Sequence, residues 1–418
     1  MSSGVLDLSQ MPAVFEWDEQ CKVNDYLIAR YQVSSTLPPN ETALGMAMEQ
    51  SAATTQINGY VEPQSLAPWT IRVRSYKKLP EPAVTSVVPY QLATEVYGAP
   101  EGVTSSLYLI ELAIPYRLLA GKSGQLMNVL VGELPRLGFL TSFSLVSAPL
   151  HDGIWPGPGF GVSGLRELLN IPKGPLLCRS MRPAVGLDLA TMARLNHDVL
   201  CGGFHLVKDD ELQVFPDNSV YETHVMAMIE ARDKAIKKSG EKKAYLANLI
   251  CEPDELEERW EICLNHGVDG VLVAPFIQGI GILSQLAYRR VLPILAHNSG
   301  GDLSFRNHFW GINESVLASW FRSLGADWWV TPGNSGQPQQ NLEEVQSVLL
   351  SGREIGSSDA PMMPILQGGK SPSGLPDYRQ TIGNDDFMLI VASWVDRYPK
   401  GLKAGAQKFR QAIDKLVI

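Results

Sequence analysis

Cysteine is scarce in this chain. The five present (Cys21, Cys178, Cys201, Cys251 and Cys263) include no Cys-x-x-Cys pair and follow no regular spacing. That fits reduced thiols rather than a disulfide frame or a zinc site. Apolar runs of the ~18–20 residues needed to cross a membrane are missing. No basic stretch followed by an apolar core opens the sequence, so the expected location is the cytoplasm. Positive charge is in deficit, with 35 Lys and Arg against 44 Asp and Glu, a formal net charge of −9. Such a chain carries no electrostatic footprint for nucleic acid or for an anionic membrane. The basic run "KAIKKSGEKK" reads as a solvated helix end.

What is present is apolar mass. The 418 residues are 45% hydrophobic, enough for one large domain or two ordinary ones. Up to about residue 150 the texture is mixed. "DYLIARYQV" and "TSSLYLIELAIPY" read as strands, while "ETALGMAMEQSAAT" and "GQLMNVLVGELPRL" have helical spacing. This predicts a small α+β domain over 1–150. The Gly- and Pro-rich "SAPLHDGIWPGPGFGVSG" then marks a boundary.

From 151 to 418 the pattern becomes rhythmic. Eight short apolar strands recur: "PLLCRSM", "GFHLVK", "AYLANLI", "DGVLVAPF", "LPILAHN", "DWWVTPG", "MMPILQGG" and "DFMLIVAS". Helical segments such as "LATMARLNHDVLC" and "NLEEVQSVLL" fall between them, and the tail supplies the last. Eight βα units in about 250 residues predict a (β/α)8 barrel. A doubly wound open sheet is the alternative from pattern alone.

In such a barrel the chemistry sits at the C-terminal strand ends. Those ends carry Arg179 and Arg182, then Lys208, Asp209, Asp210 and Glu211, then Asn248, His297 and Asn298. Thr331 precedes the loop "PGNSGQPQQN", and Gln367, Gly368, Gly369, Lys370 and Ser393 follow. Arg182 can instead pair with an acidic neighbour, and His297 can be a satisfied core histidine. The Lys-Asp-Asp-Glu run reads either as a solvated charge cluster closing a strand or as ligands for Mg²⁺, which takes oxygen donors. A protonated lysine is no ligand. It becomes an oxygen donor only by covalent change, such as carbamylation by CO2.

These residues resemble a known family. "GGFHLVKDDE" (202–211) is similar to the metal motif of the ribulose-bisphosphate carboxylase large subunit and of the RuBisCO-like proteins. "GPGFGVSGLRELLNI" resembles the segment leading into that family's barrel, and "MRPAVGL" its first-strand motif. "SGEKKAYLANLICEPDELEERWEICLNHGVDGVLVAPF" and "MEQSAATT" extend the likeness. The resemblance implies a ferredoxin-like N-terminal domain before the barrel. It implies Mg²⁺ held by Asp210, Glu211 and a carbamate on Lys208, with Asp209 outside the set. His297 matches the fifth-strand histidine and Gly369 a phosphate-loop glycine. It also implies an antiparallel homodimer with shared active sites, to which Glu49 and Thr54 of the neighbouring subunit contribute.

The departures from the family shape the functional expectation. The lysine of the sixth-strand loop that assists CO2 addition aligns with Gln337. Arg182 replaces the first-strand base lysine, and an arginine, always protonated, is a poor base. Asn298 and Val330 stand where the second phosphate site has Arg and His, and Ala392-Ser393 replace a double glycine. The likeness is therefore to the RuBisCO-like branch (form IV), not to CO2-fixing carboxylases. The expected activity is Mg²⁺-dependent enolate chemistry on a phosphorylated keto-sugar derivative. Decarboxylation of a 3-oxo sugar-acid phosphate, of the 3-oxo-isoapionate 4-phosphate type, leads. The enolase acting on 2,3-diketo-5-methylthiopentyl-1-phosphate, the methylthioribulose-1-phosphate isomerase and a non-catalytic binding scaffold are the alternatives.

Overall fold

The computed structural model describes residues 11–51, 63–83, 104–151, 153–305, 307, 309–331, 342–353 and 360–417. They fall into two compact units, one within 1–154 and 301–320, the other within 155–300 and 321–418.

The first unit is built on a five-stranded sheet. Its central strand, Tyr26–Ser35, alternates as a half-covered strand must: Leu27, Ala29, Tyr31 and Val33 are fully buried. It pairs antiparallel with Ser106–Pro115 on one side and Leu140–Ser147 on the other. Arg72–Lys78 closes one edge. The helix Pro39–Ser51 packs on this sheet through its buried apolar residues.

The opposite edge is Trp310–Ile312, which runs parallel to Leu140–Ser147. This piece lies beyond residue 151, where the sequence pattern puts only barrel. Three residues, Trp310, Gly311 and Ile312, are too short a run to announce a strand. Their pairing with Phe143, Ser144 and Leu145 is wholly non-local.

The second unit is a closed eight-stranded parallel barrel. Its strands are Leu176–Ser180, Leu206–Lys208, Ala244–Asn248, Gly270–Val273, Ile294–Ala296, Trp328–Val330, Met363–Leu366 and Met388–Ile390. Each lies within one of the eight apolar runs. The eighth pairs with the first, Met388 opposite Leu176, so the sheet has no free edge. That closure rules out the open doubly wound sheet.

Local chemistry sets the helices between strands. Asp188 caps Leu189–Cys201 by accepting from the Thr191 amide at 2.8 Å. Asp217 caps Asn218–Ser239 in the same way through Val220. Gly240 ends that helix at φ 70°, a conformation that costs glycine nothing. No described helix is long and apolar enough to cross a membrane.

Candidate active site

Side chains of one parity fill the barrel. Leu176 and Cys178, Leu206, Leu246, Leu295 and Ile365 belong to its buried core. Continuing the same two-residue period past the core leads to Ser180 and Arg182, Lys208 and Asp210, Asn248, His297 and Gln367. The candidate residues therefore sit where apolar filling gives way to polar groups at one end of the barrel.

Four of them meet at bonding distance with Glu211. The Lys208 ammonium, 1% exposed, lies 3.3 Å from Glu211 Oε2 and donates to the Asp209 carbonyl at 2.9 Å. Arg182 spans two carboxylates: its Nε is 2.6 Å from Asp210 Oδ2 and its Nη2 3.1 Å from Glu211 Oε1. The Ser180 hydroxyl donates to Asp210 Oδ2 at 3.1 Å, and the Leu212 amide to Oδ1 at 3.1 Å. Gln213 accepts from the Asp210 amide. Behind Arg182, buried Arg179 donates to the Arg182 carbonyl at 2.8 Å and pairs with Asp396.

Charge decides the protonation states. Burial works to raise the Glu211 carboxyl, but Lys208, His297 and Arg182 beside it overcome that and hold it down at about 2. Burial, followed by the charge of Lys208, pushes the His297 imidazole down to about 4. The ring is therefore neutral at neutral pH. Its Nδ1 receives the Ser299 amide at 3.2 Å, which puts the ring proton on Nε2. Nε2 lies 3.4 Å from Glu211 Oε2, and the Gln367 side chain also bears on the ring. His297 thus presents a donor to the cluster, not a base.

A pH dependence follows. The unfolded imidazole titrates near 6.5, so below that pH the unfolded state takes up a proton that the native state refuses until about 4. His297 thus contributes stability present above pH 6.5 and lost on acidification toward 4. Urea unfolding at pH 7.5 and 5 should show the wild type losing roughly 2 kcal/mol more than His297→Gln. Equal losses in the two proteins would dismiss this assignment.

Asp209 points the other way. Its Oδ1 faces His224 Nε2 at 2.8 Å, and its Oδ2 accepts from the Tyr245 hydroxyl at 2.6 Å and the Asn248 amide at 3.0 Å. It is fully buried behind the strand, not beside Lys208.

Two cavities open on Glu211. One, of about 430 Å³, is bounded by Arg182, Gln367, Gly368, Gly369, Lys370 and Ser393. Gly368 and Gly369 hold φ of 74° and 60°, with nothing within 4 Å of where a Cβ would stand. The turn is thus open to a ligand and closed to side chains by backbone strain. Buried Lys370 lies over the Tyr378 ring, and burial lowers its amine. Gln367 donates to Asn298 at 3.3 Å across the barrel mouth. The other cavity, of about 980 Å³, has a mixed wall, with Leu212, Val214, Ile250, Ile277 and Ile282 beside Glu252, Glu255 and Arg259.

Glu49 lies in the first unit, on Pro39–Ser51, where burial and then repulsion by Glu133 raise its carboxyl. Thr54 and Gln337 fall outside the described residues. Ser180 and Gln213 escape a reading of the strand ends by charge. The period from Cys178 to Arg182 is the signal that finds Ser180. Among the described residues no three His, Cys, Asp or Glu side chains are placed to hold a metal ion.

Comparison with known proteins agrees with this architecture. The family described as ribulose bisphosphate carboxylase large chain, catalytic domain, matches residues 161–417. A ribulose bisphosphate carboxylase-like protein of Archaeoglobus fulgidus is 27% identical over 405 residues, 93% of this chain and 87% of that one. A ribulose bisphosphate carboxylase of Pyrococcus abyssi is 29% identical over 408 residues, 94% of this chain and 88% of that one. Among solved structures, a rubisco-like protein (MtnW) from Alicyclobacillus acidocaldarius superposes with a TM-score of 0.79 at 24% identity, covering 94% of each chain. One from Burkholderia fungorum reaches 0.81 at 22%, again over 94% of each. The matched domain takes in the whole barrel and its Lys208–Glu211 cluster, and the chain belongs to the ribulose bisphosphate carboxylase large-chain family as a RuBisCO-like protein.

Proposed function

We propose that this protein is a Mg²⁺-dependent enzyme of enolate chemistry on a phosphorylated keto-sugar derivative, and that it does not fix CO2. Decarboxylation of a 3-oxo sugar-acid phosphate is the preferred reaction. The observation that carries it is the state of the two groups best placed to take a proton. Arg182 is permanently charged and bound to Asp210 and Glu211. His297 has its lone pair turned to Ser299 and its proton toward the cluster. Removing a proton from substrate asks for a base; losing CO2 from a 3-oxo acid does not.

The donors fit a hard cation once Lys208 carries a carbamate. Asp210, Glu211 and a carbamate on Lys208 would then offer three oxygens of the kind such an ion takes. The Nε2–H of His297, 3.4 Å from Glu211, adds a polar group on the same side. A bound Mg²⁺ would supply a positive charge against the one that develops on the substrate's carbonyl oxygen. The protein's own groups do the rest. His297 donates a hydrogen bond toward that oxygen. Gly368, Gly369 and Lys370 hold the phosphate by close backbone approach and charge. Asn298 and Gln367 orient the chain between. The resemblance adds a homodimer whose neighbouring N-terminal domain completes each site.

A second reading is favoured by the larger cavity. Leu212, Val214 and Ile250 in its mixed wall would accept a methylthio tail, which suits the diketo-methylthiopentyl phosphate enolase. One experiment separates the two. Incubated with Mg²⁺, bicarbonate and 3-oxo-isoapionate 4-phosphate, the protein should release one CO2 per substrate consumed. No release from that substrate, together with solvent deuterium entering 2,3-diketo-5-methylthiopentyl-1-phosphate, would replace decarboxylation by enolisation.

A further inference from the structure

We propose that Arg182 is a built-in counter-cation that must swing aside before a divalent ion can join Asp210 and Glu211, so that this side chain sets the cation affinity of the site. The inference rests on the metal reading above and adds a control on it.

The geometry leads there directly. All four carboxylate oxygens of the pair are engaged. Asp210 gives Oδ1 to the Leu212 amide and Oδ2 to Ser180 and Arg182. Glu211 gives Oε1 to Arg182 and Oε2 to Lys208. One guanidinium fork therefore holds an oxygen of each carboxylate. A Mg²⁺ ion needs oxygens at about 2.0–2.1 Å in a near-ideal octahedron. A guanidinium on the same two carboxylates repels it and occupies the directions it would use.

The arm is built to leave. The Asp210 side chain is 0% exposed and that of Glu211 15%, but that of Arg182 is 46% exposed. Arg182 also borders the 430 Å³ cavity, so its tip has space to turn into without crossing the core. Its backbone is fixed meanwhile, because Arg179 grips its carbonyl.

Charge favours displacement over expulsion. As the site stands, Arg182 and Lys208 balance Asp210 and Glu211. Converting the Lys208 ammonium to a carbamate changes +1 to −1, and the arriving ion adds two positive charges. The sum returns to zero only while Arg182 remains near. Turned into the cavity, its charge keeps the loaded site neutral and adds to that of Lys370 beside an anionic substrate.

Arg182→Met keeps the length of the arm and removes the fork. The test uses the full chain freed of metal by chelation, with saturating bicarbonate. Mn²⁺ binding is followed by electron paramagnetic resonance and confirmed by Mg²⁺ competition. Arg182→Met should bind Mn²⁺ at least tenfold tighter than wild type, while melting at a lower temperature without metal. Arg182→Lys, a point charge unable to span both carboxylates, should fall between the two, and carries the test if the methionine variant does not fold. A merely structural arginine would weaken both readouts together. Variants binding no tighter than a wild type that does bind would overturn the counter-cation and leave the metal reading standing. No binding by any of the three chains would overturn both.

Discussion

Lys208→Met should abolish the response of this protein to Mg²⁺ and bicarbonate. On the proposed reading the pair binds the wild-type native state alone. At a hundred times its dissociation constant it should therefore stabilise the fold by about 2.7 kcal/mol, seen as a higher melting midpoint. Methionine fills the buried space of the lysine stem but offers no amine to CO2. The remaining donors are two carboxylates, both already on Arg182. Turnover should fall on the order of 10³-fold or more, the scale of losing the main electrostatic stabiliser of a developing oxyanion. Without metal the variant also loses the bond to the Asp209 carbonyl and the pair with Glu211, worth roughly 1–3 kcal/mol together. The decisive quantity is thus the change in midpoint on adding the ions. A full response in Lys208→Met would move the metal elsewhere. No response in either protein would favour a binding scaffold over an enzyme.

Much of this molecule is legible because a covered parallel strand is written as a short apolar run. Each of the eight runs contains its barrel strand, though some are cut to three residues, as in Leu206–Lys208. Residues at the ends of those runs fall at one mouth of the barrel, which is why Lys208, Asp210, His297 and Gln367 could be grouped without coordinates. Trp310–Ile312 was not legible. Its sheet partners Phe143 to Leu145 are distant in sequence, and nothing local in "WGI" encodes that pairing. The role of Arg182 was half legible. Its charge excludes a base, and an acidic partner was one option, but only the fold reveals two carboxylates on one guanidinium. The tautomer of His297 depends on the Ser299 amide, a backbone group that no side-chain pattern displays.

The same run holds a residue of opposite character one position on. Asp209→Ala should cost about 3–5 kcal/mol of stability, the scale for removing one partner from a buried, fully bonded charge. Three donors lose their acceptor at once: the Tyr245 hydroxyl, the Asn248 amide and the His224 ring. None can reach water, because Tyr245 and Asn248 are fully buried and His224 nearly so. In a domain of this size the melting midpoint should drop on the order of 10 °C. Asp209→Asn should cost far less. Its carbonyl can still accept from Tyr245 or Asn248, and its amide can donate to His224 if that ring moves its proton to Nδ1. Yet in both variants the added stabilisation by Mg²⁺ and bicarbonate should persist, since the Asp209 side chain faces away from Lys208, Asp210 and Glu211. The neighbours 208 and 209 should then separate cleanly, one carrying the ion response and the other the fold. An Asp209→Asn protein of near-normal midpoint that no longer responded to the ions would place that carboxylate in the metal site and break the division.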